Sequence, residues 1–270
     1  MKELKGKVAA VTGAASGLGR AMARAFAAEG MRLALADVDE AGLKATLEGC
    51  SGFCMKVDVS KAAEVDAFAE RTARELGGIH LVCNNAGVAL SGPVWENSEA
   101  EWQWILGVNL WGVIHGVRAF APRLLAQDEG HIVNTASVAG LISPPGMGAY
   151  CVSKHAVVTL TESLYQDLRQ RGSRVGASVL CPAYVPTGIA GSSGPEVAGK
   201  SKERLATETM MRKAVSAGKL SADDVARAVV AAVKEERFYV LTHPAIKGAV
   251  RARMEDVLDD KAPRNPLALR

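Results

Sequence analysis

The chain has 270 residues, 49% of them hydrophobic, and a formal net charge of +3. That length suits one α/β domain with a well-filled core, and cations spread along the chain, apart from a mildly basic run from Lys247 to Arg253, argue against a nucleic-acid partner. Five scattered cysteines (Cys50, Cys54, Cys83, Cys151, Cys181) lack C-x-x-C spacing, no window reaches the ~20 apolar residues of a membrane span, and no signal-peptide h-region follows Met1, so reduced thiols, no metal, no membrane and a cytoplasmic location are expected.

Val8 to Val11 is a short apolar run of the kind that suits a strand buried on both faces. Thr12-Gly13-Ala14-Ala15-Ser16-Gly17-Leu18-Gly19 follows, and then Leu18, Met22 and Phe26 recur on one helical face until Gly30 stops it. Glycines at 13, 17 and 19 let the backbone turn tightly and approach a pyrophosphate, which the helix N-terminus attracts. A second strand, Arg32 to Ala36, ends in Asp37, eighteen residues beyond Gly19. A carboxylate there can accept both ribose hydroxyls of an adenosine and repel a 2′-phosphate; it can also cap a helix from Glu40 to Leu47, a role open equally to Asp39.

A third strand, Phe53 to Val57, leads to Asp58-Val59-Ser60, and a helix over Ala62 to Leu76 follows. Ile79 to Cys83 gives the fourth strand, closed by Asn84-Asn85-Ala86-Gly87. Ser98-x-x-Glu101 is a capping box opening a long helix with Trp102, Ile105, Leu106, Asn109 and Val113 on its apolar stripe. Asn109 is out of place on that stripe unless its amide is hydrogen-bonded. His131 to Thr135 is the fifth strand and runs into Ser137. Thirteen residues later, Tyr150 and Lys154 stand four apart on one helical face, with Cβ atoms ~5–6 Å apart.

The sixth strand, Arg174 to Leu180, precedes Pro182-Ala183-Tyr184-Val185-Pro186-Thr187. Gly188 to Leu220 is rich in Gly, Ser, Lys and Met. Ser221-x-x-Asp224 caps another helix, Phe238 to Leu241 is a last strand, and Ile246 to Leu258 is a charged terminal helix. No internal repeat and no linker divides the chain.

Five of these motifs, T-G-x-x-x-G-x-G from Thr12, N-N-A-G from Asn84, V-N-x-x-G from Val108, the Ser137, Tyr150 and Lys154 set, and the segment from Pro182 to Thr187, resemble the short-chain dehydrogenase/reductase family in order and spacing. Ala183 departs from the pattern, standing where the family has glycine. The resemblance implies a single-domain Rossmann fold, doubly wound around seven parallel strands. It also implies catalysis by Asn109, Ser137, Tyr150 and Lys154. Cofactor contacts are implied from Gly13, Ser16, Gly17, Leu18, Gly19, Asp37, Asp58, Val59, Asn85, Ala86, Gly87, Tyr150, Lys154, Pro182, Val185 and Thr187. In this scheme Lys154 and the cofactor's positive ring lower the Tyr150 pKa by ~2–3 units, Ser137 holds the substrate oxygen, and Asn109 binds a relay water.

The implied reaction is hydride transfer between NAD and a secondary alcohol or ketone. NADP is disfavoured by Asp37, Val38 and the neutral Ser16; a non-catalytic NAD(H) sensor and a nucleotide-retaining epimerase or dehydratase are the other readings. Val88, Leu90, Val138, Leu141, Met147 and Tyr184 are expected to line an apolar pocket that Met210 and Met211 close, suiting a hydrophobic or aromatic substrate. The stretch Phe238 to Pro244 is loosely similar to bacterial members that oxidise benzylic alcohols. Gly188 to Leu220 is expected to be a mobile substrate lid, and the apolar helices Trp102 to Phe120 and Val152 to Leu168 to pair into a homodimer or homotetramer.

Overall fold

The first strand shows how the core divides. Every residue of β1 (Val8–Thr12) is buried, yet Ala9 and Val11 belong to one apolar cluster and Val8 and Ala10 to another, because successive side chains leave a strand on opposite faces. Such a strand needs helices on both sides, and the crossovers of a parallel sheet supply them.

The computed structural model describes residues 1–192, 194–195 and 199–268. After β1 come β2 (Arg32–Asp37), β3 (Gly52–Lys56), β4 (Leu81–Asn84), β5 (His131–Thr135), β6 (Gly176–Cys181) and β7 (Tyr239–Leu241). They form one sheet in the order β3-β2-β1-β4-β5-β6-β7, and every pairing is parallel. This is the doubly wound Rossmann sheet of seven strands that the motifs imply.

On one face pack α1 (Gly17–Ala28), Leu43 of α2 (Glu40–Leu47) and α8 (Ala222–Glu235). The other face carries α3 (Ala62–Leu76), α5 (Gly112–Gln127) and α6 (Gly148–Gln170). Phe68 of α3 meets Phe53 and Phe120 edge-on, with ring centroids 6.2 and 5.9 Å away, so β3, α3 and α5 share one aromatic joint. Strand order reverses between β1 and β4, and a crevice opens outside the carboxyl ends of the strands at such a point.

Three features differ from the sequence reading. The first, third, fourth, sixth and seventh strands shift at their ends by one or two residues from the apolar runs. The helix capped by Ser98 is interrupted: α4 (Glu99–Leu106) passes through a π turn at Gly107–Trp111 before α5 continues. Finally, the stretch expected as a mobile substrate lid, in which the sequence reading places no element, contains a 3-10 turn at Gly188–Gly191 and a fifteen-residue helix, α7 (Lys202–Ser216), capped by Ser201. Residues 193 and 196–198 of that stretch lie outside the described residues. The chain ends in α9 (Ile246–Leu258) and a tail; among the described residues no helix is long and apolar enough to cross a membrane.

Candidate active site

Beyond β1 the chain turns through Gly13 at φ +65°, where a Cβ would lie 2.7 Å from Ala86 Cα, and a Cβ on Gly19 would lie 2.0 Å from the Gly13 carbonyl oxygen. The turn, α1 and the loop after β4 thus meet backbone to backbone, which only glycine permits. Ser16 opens α1 with no side-chain cap, and the first turn has no acidic residue. By contrast α2, α4, α7 and α8 are capped by Asp39, Ser98, Ser201 and Ser221. The orphan N–H groups of α1 and its positive dipole end are left for an anion, and Ser16 to Gly19 line the cleft.

At the end of β2, Asp37 accepts from the Ala15 and Asp39 amides at 3.0 and 3.1 Å. The cap of α2 is Asp39, which accepts from Gly42 N at 3.0 Å. Asp37 is therefore not the cap; it forms part of the cleft wall. Asp58 holds the amide and hydroxyl of Ser60 at 3.0 and 2.7 Å, turning the chain into α3. Burial pushes its pKa up, but the Ser60 bonds and nearby Lys61 outweigh this and leave it below the ordinary value.

A belt of buried amides and hydroxyls joins the carboxyl ends of the central strands. Asn84 donates to Asn134 across the β4–β5 pair at 2.8 Å, and Asn134 donates to Thr161 of α6 at 3.1 Å. Asn85 donates to Thr12 O at 3.1 Å and accepts from Thr135 Oγ1 at 3.2 Å, so it ties β1 to β5. Thr135 O in turn accepts from Lys154 Nζ at 3.0 Å. Both asparagines thus join neighbouring strands.

Tyr150, Lys154 and Ser137 are 8%, 2% and 7% exposed, and all three line the same cleft. Lys154 Nζ lies 5.7 Å from the centre of the Tyr150 ring. Ser137 Oγ donates to Pro182 O at 3.3 Å and accepts from Ala139 N at 3.1 Å. Burial pushes Tyr150 up to about 12, against an opposing hydrogen bond from Ser137, and pushes Lys154 down to about 8. Desolvation disfavours phenolate and ammonium alike. Burial without the cofactor's positive ring thus works against the phenolate, and a lowering of the Tyr150 pKa would have to come from Lys154 and that ring together.

Asn109 sits in the π turn with no exposed surface. Its Oδ1 accepts from Val88 N at 2.8 Å, and its Nδ2 donates to Val88 O at 2.9 Å and Ser153 Oγ at 3.1 Å. The amide clamps the loop after β4 to α6, and of the candidate catalytic and cofactor residues it alone does not line the cleft. Oδ1 keeps one lone pair free. That atom and Lys154 Nζ both lie within 3.4 Å of the point a Gly87 Cβ would occupy, so Gly87 keeps the space between them open.

The cleft measures about 1930 Å³, roughly twice the upper end of ordinary ligand pockets, ~1,000 Å³, so it has room for a dinucleotide and a substrate together. Val88, Leu90, Val138, Met147, Tyr184 and Met211 line it as expected, whereas Leu141 packs into the core beside α6 and Met210 faces out at 45% exposure. Ile142, Trp104, His243 and the tail residues Pro266 and Leu267 also line it and were not foreseen.

The largest omission is Arg204. Its guanidinium pairs with Glu101, both side chains being 2% exposed, and it also reaches Glu96 O and Glu208. Glu101 is at the same time the capping-box acid of α4. Arg204 packs on Gly92, where a Cβ would lie 3.0 Å from its Cγ, and Gly92 bridges to Met147 just before α6 begins. One buried pair thereby fastens α7, α4 and the start of the Tyr150 helix. Burial raises the Glu101 pKa, but hydrogen bonds from Arg204 and Ser98 leave it below the ordinary value. In the sequence Arg204 stands among polar residues and reads as a surface cation.

Residues 7–198 match the family model described as short chain dehydrogenase. The chain belongs to the short-chain dehydrogenase/reductase family and is an oxidoreductase with a Rossmann-type nucleotide site. A short-chain dehydrogenase/reductase from Burkholderia phymatum, solved in complex with NAD, is 50% identical and superposes over the whole of both chains with a TM-score of 0.97. The CLA biosynthesis dehydrogenase/reductase of Lactiplantibacillus plantarum is 34% identical over 278 residues, covering 97% of each chain. The 1-deoxy-11-beta-hydroxypentalenate dehydrogenase of Streptomyces exfoliatus is 35% identical over 266 residues, covering 95% of this chain and 89% of the relative.

Two outcomes are expected from this geometry. Arg204→Met leaves Glu101 buried without its partner and should cost about 3–5 kcal/mol of folding stability, while the Glu101→Gln/Arg204→Met double variant should lose less than the two single losses combined; additive losses in denaturant unfolding would show that the pair is not coupled. Lys154 releases its proton near pH 8 when folded and near its ordinary 10.5 when unfolded. Between these values unfolding takes up a proton, so rising pH favours the folded state. The stability advantage of Lys154→Met over the wild-type apoprotein should therefore shrink from pH 8 to pH 10, and a gap independent of pH in thermal unfolding would contradict the buried, proton-releasing lysine.

Proposed function

We propose that the protein interconverts a secondary alcohol and a ketone, with NAD as hydride carrier and a hydrophobic or aromatic substrate. The observation that carries this reading is the burial of Tyr150, Lys154 and Ser137 in the same cleft as the glycine turn and the uncapped helix α1. The name of the Streptomyces relative, a dehydrogenase of a hydroxylated compound, supports the reaction class.

NAD+, when bound, accepts hydride from the carbinol carbon and returns it in the reverse direction. Gly13, Ser16, Gly17, Leu18 and Gly19 would hold its pyrophosphate and Asp37 its adenosine ribose; Asp58 and Val59 would flank the adenine, Asn85, Ala86 and Gly87 would leave room for it along the cleft, and Pro182, Val185 and Thr187 would flank the nicotinamide side. Ser137 Oγ fixes the substrate oxygen and stabilises the charge that develops on it. Tyr150 Oη takes the hydroxyl proton during oxidation and gives it back during reduction. Lys154 binds the nicotinamide ribose, and with a pKa of about 8 it can pass protons near neutral pH. A water between Lys154 Nζ and Asn109 Oδ1, across Gly87, completes the path to solvent.

Preference for NAD over NADP follows from Asp37 at the end of β2, where a second anion would be repelled; the NAD complex of the Burkholderia phymatum protein accords with it. A homodimer or homotetramer is supported by Trp111 and Val152, half exposed on the apolar helices at 51% and 50%. Five free cysteines, three of them buried, suit a reducing compartment such as the cytoplasm.

Tyr150→Phe keeps the ring's packing and removes the hydroxyl, so NAD+ binding should survive while alcohol oxidation falls by ~10²–10⁴. Asp37→Ala should raise KM for NAD+ and narrow its advantage over NADP+. Near-normal oxidation by Tyr150→Phe would refute the assigned base, whereas a wild type that binds NADH and oxidises no alcohol in an aliphatic, steroid and benzylic panel would be a sensor.

A further inference from the structure

The charges at the substrate end of the cleft are nearly all balanced within the protein. Arg204 pairs with Glu101, and Glu208 accepts from Arg204 Nε at 3.3 Å and from Lys200 Nζ at 2.9 Å. Residues 204, 208 and 212 are spaced by four along α7 and so share one face, and each of them lines the cleft. Arg212 ends the ladder. Its side chain is solvent-accessible, and it has no hydrogen-bond or ion-pair partner among the described residues, unlike the two members before it. The other cleft carboxylates, Asp37 and Asp58, are bound to the turns after β2 and β3. Met211 precedes it in the chain, and the apolar side chains of Met147, Tyr184 and Ile189 line the same cleft.

Resting on the reading of this cleft as an alcohol-oxidising site, we propose that Arg212 receives a carboxylate carried by the substrate. The substrate class is then an apolar secondary alcohol, or its ketone, with a carboxylate remote from the reacting carbon. A guanidinium offers a carboxylate two parallel N–H···O bonds, so it orients the acid as well as attracting it. An apolar chain between two polar ends matches a lining that combines the catalytic polar groups, apolar side chains and, in Arg212, a cation without a partner among the described residues.

The test uses decanoic acid with a hydroxyl on its penultimate carbon, the methyl ester of that acid, and decan-2-ol. The wild type should favour the acid over the ester by about tenfold in kcat/KM, chiefly through KM, because a charge-assisted contact open to solvent is worth about that factor. Arg212→Ala should bring the acid-to-ester ratio close to one, and Arg212→Lys should keep part of the preference. Equal use of acid and ester by the wild type, or a preference that survives Arg212→Ala, overturns the proposal. A second readout needs no turnover: Trp104 lines the cleft, so its fluorescence should report tighter binding of decanoate than of decanamide in the wild type and equal binding in Arg212→Ala. Decanoate discrimination without oxidation of any of the three alcohols would leave the carboxylate site standing and remove the assigned reaction. Oxidation with no discrimination would do the reverse.

Discussion

Holding a tyrosine and a lysine out of water side by side is the constraint on which the rest of this structure depends. Each charged form loses hydration when buried, which moves Tyr150 up to about 12 and Lys154 down to about 8. A fold tolerates this only where fixed dipoles stand in for water. Lys154 finds one in the Thr135 carbonyl at the end of β5, and Tyr150 has Ser137 beside it. The carboxyl ends of β1, β4 and β5 are in turn locked together by Thr12, Asn84, Asn85 and Asn134, so the carbonyl that meets the lysine cannot drift.

A local departure from regular structure and a buried ion pair serve the same end. The π turn at Gly107–Trp111 inserts one extra residue into a helix and places the Asn109 amide against both polar atoms of Val88 and against Ser153. Such turns interrupt helices mostly where a side chain has to be aimed. The Arg204–Glu101 pair makes the roof of the cleft part of its walls. A buried pair of this kind contributes little net stability, but once formed it is costly to break from either side, so it fixes α7 along the cleft more firmly than a glycine-rich approach segment would suggest.

The sequence made the sheet legible because its strands are buried on both faces and read as apolar runs, and because glycine turns, Asp37, Ser137, Tyr150 and Lys154 are short-range patterns with a direct chemical meaning. Strand ends were less clear, since parallel pairing rather than composition decides where β4 or β6 begins. The capping box at Ser98 was readable, but its acid also has a partner 103 residues away, and no local signal announces such a contact. The π turn has no composition of its own. Met210 and Met211 are equivalent in sequence, and only the rotation of α7 turns one inward and the other to solvent. The burial of Tyr150 is illegible for a related reason: spacing shows that a lysine is near, whereas the depth of burial is a property of the whole fold.

Direct transfer of hydride is the claim from which the roles of Ser137, Tyr150 and Lys154 all follow. It is tested by oxidising a secondary alcohol deuterated at the carbinol carbon with NAD+ in ordinary water and locating the label. The account predicts one deuterium on the reduced nicotinamide and none in the solvent. Deuterium released to water, or ketone formed without reduced cofactor, would contradict it.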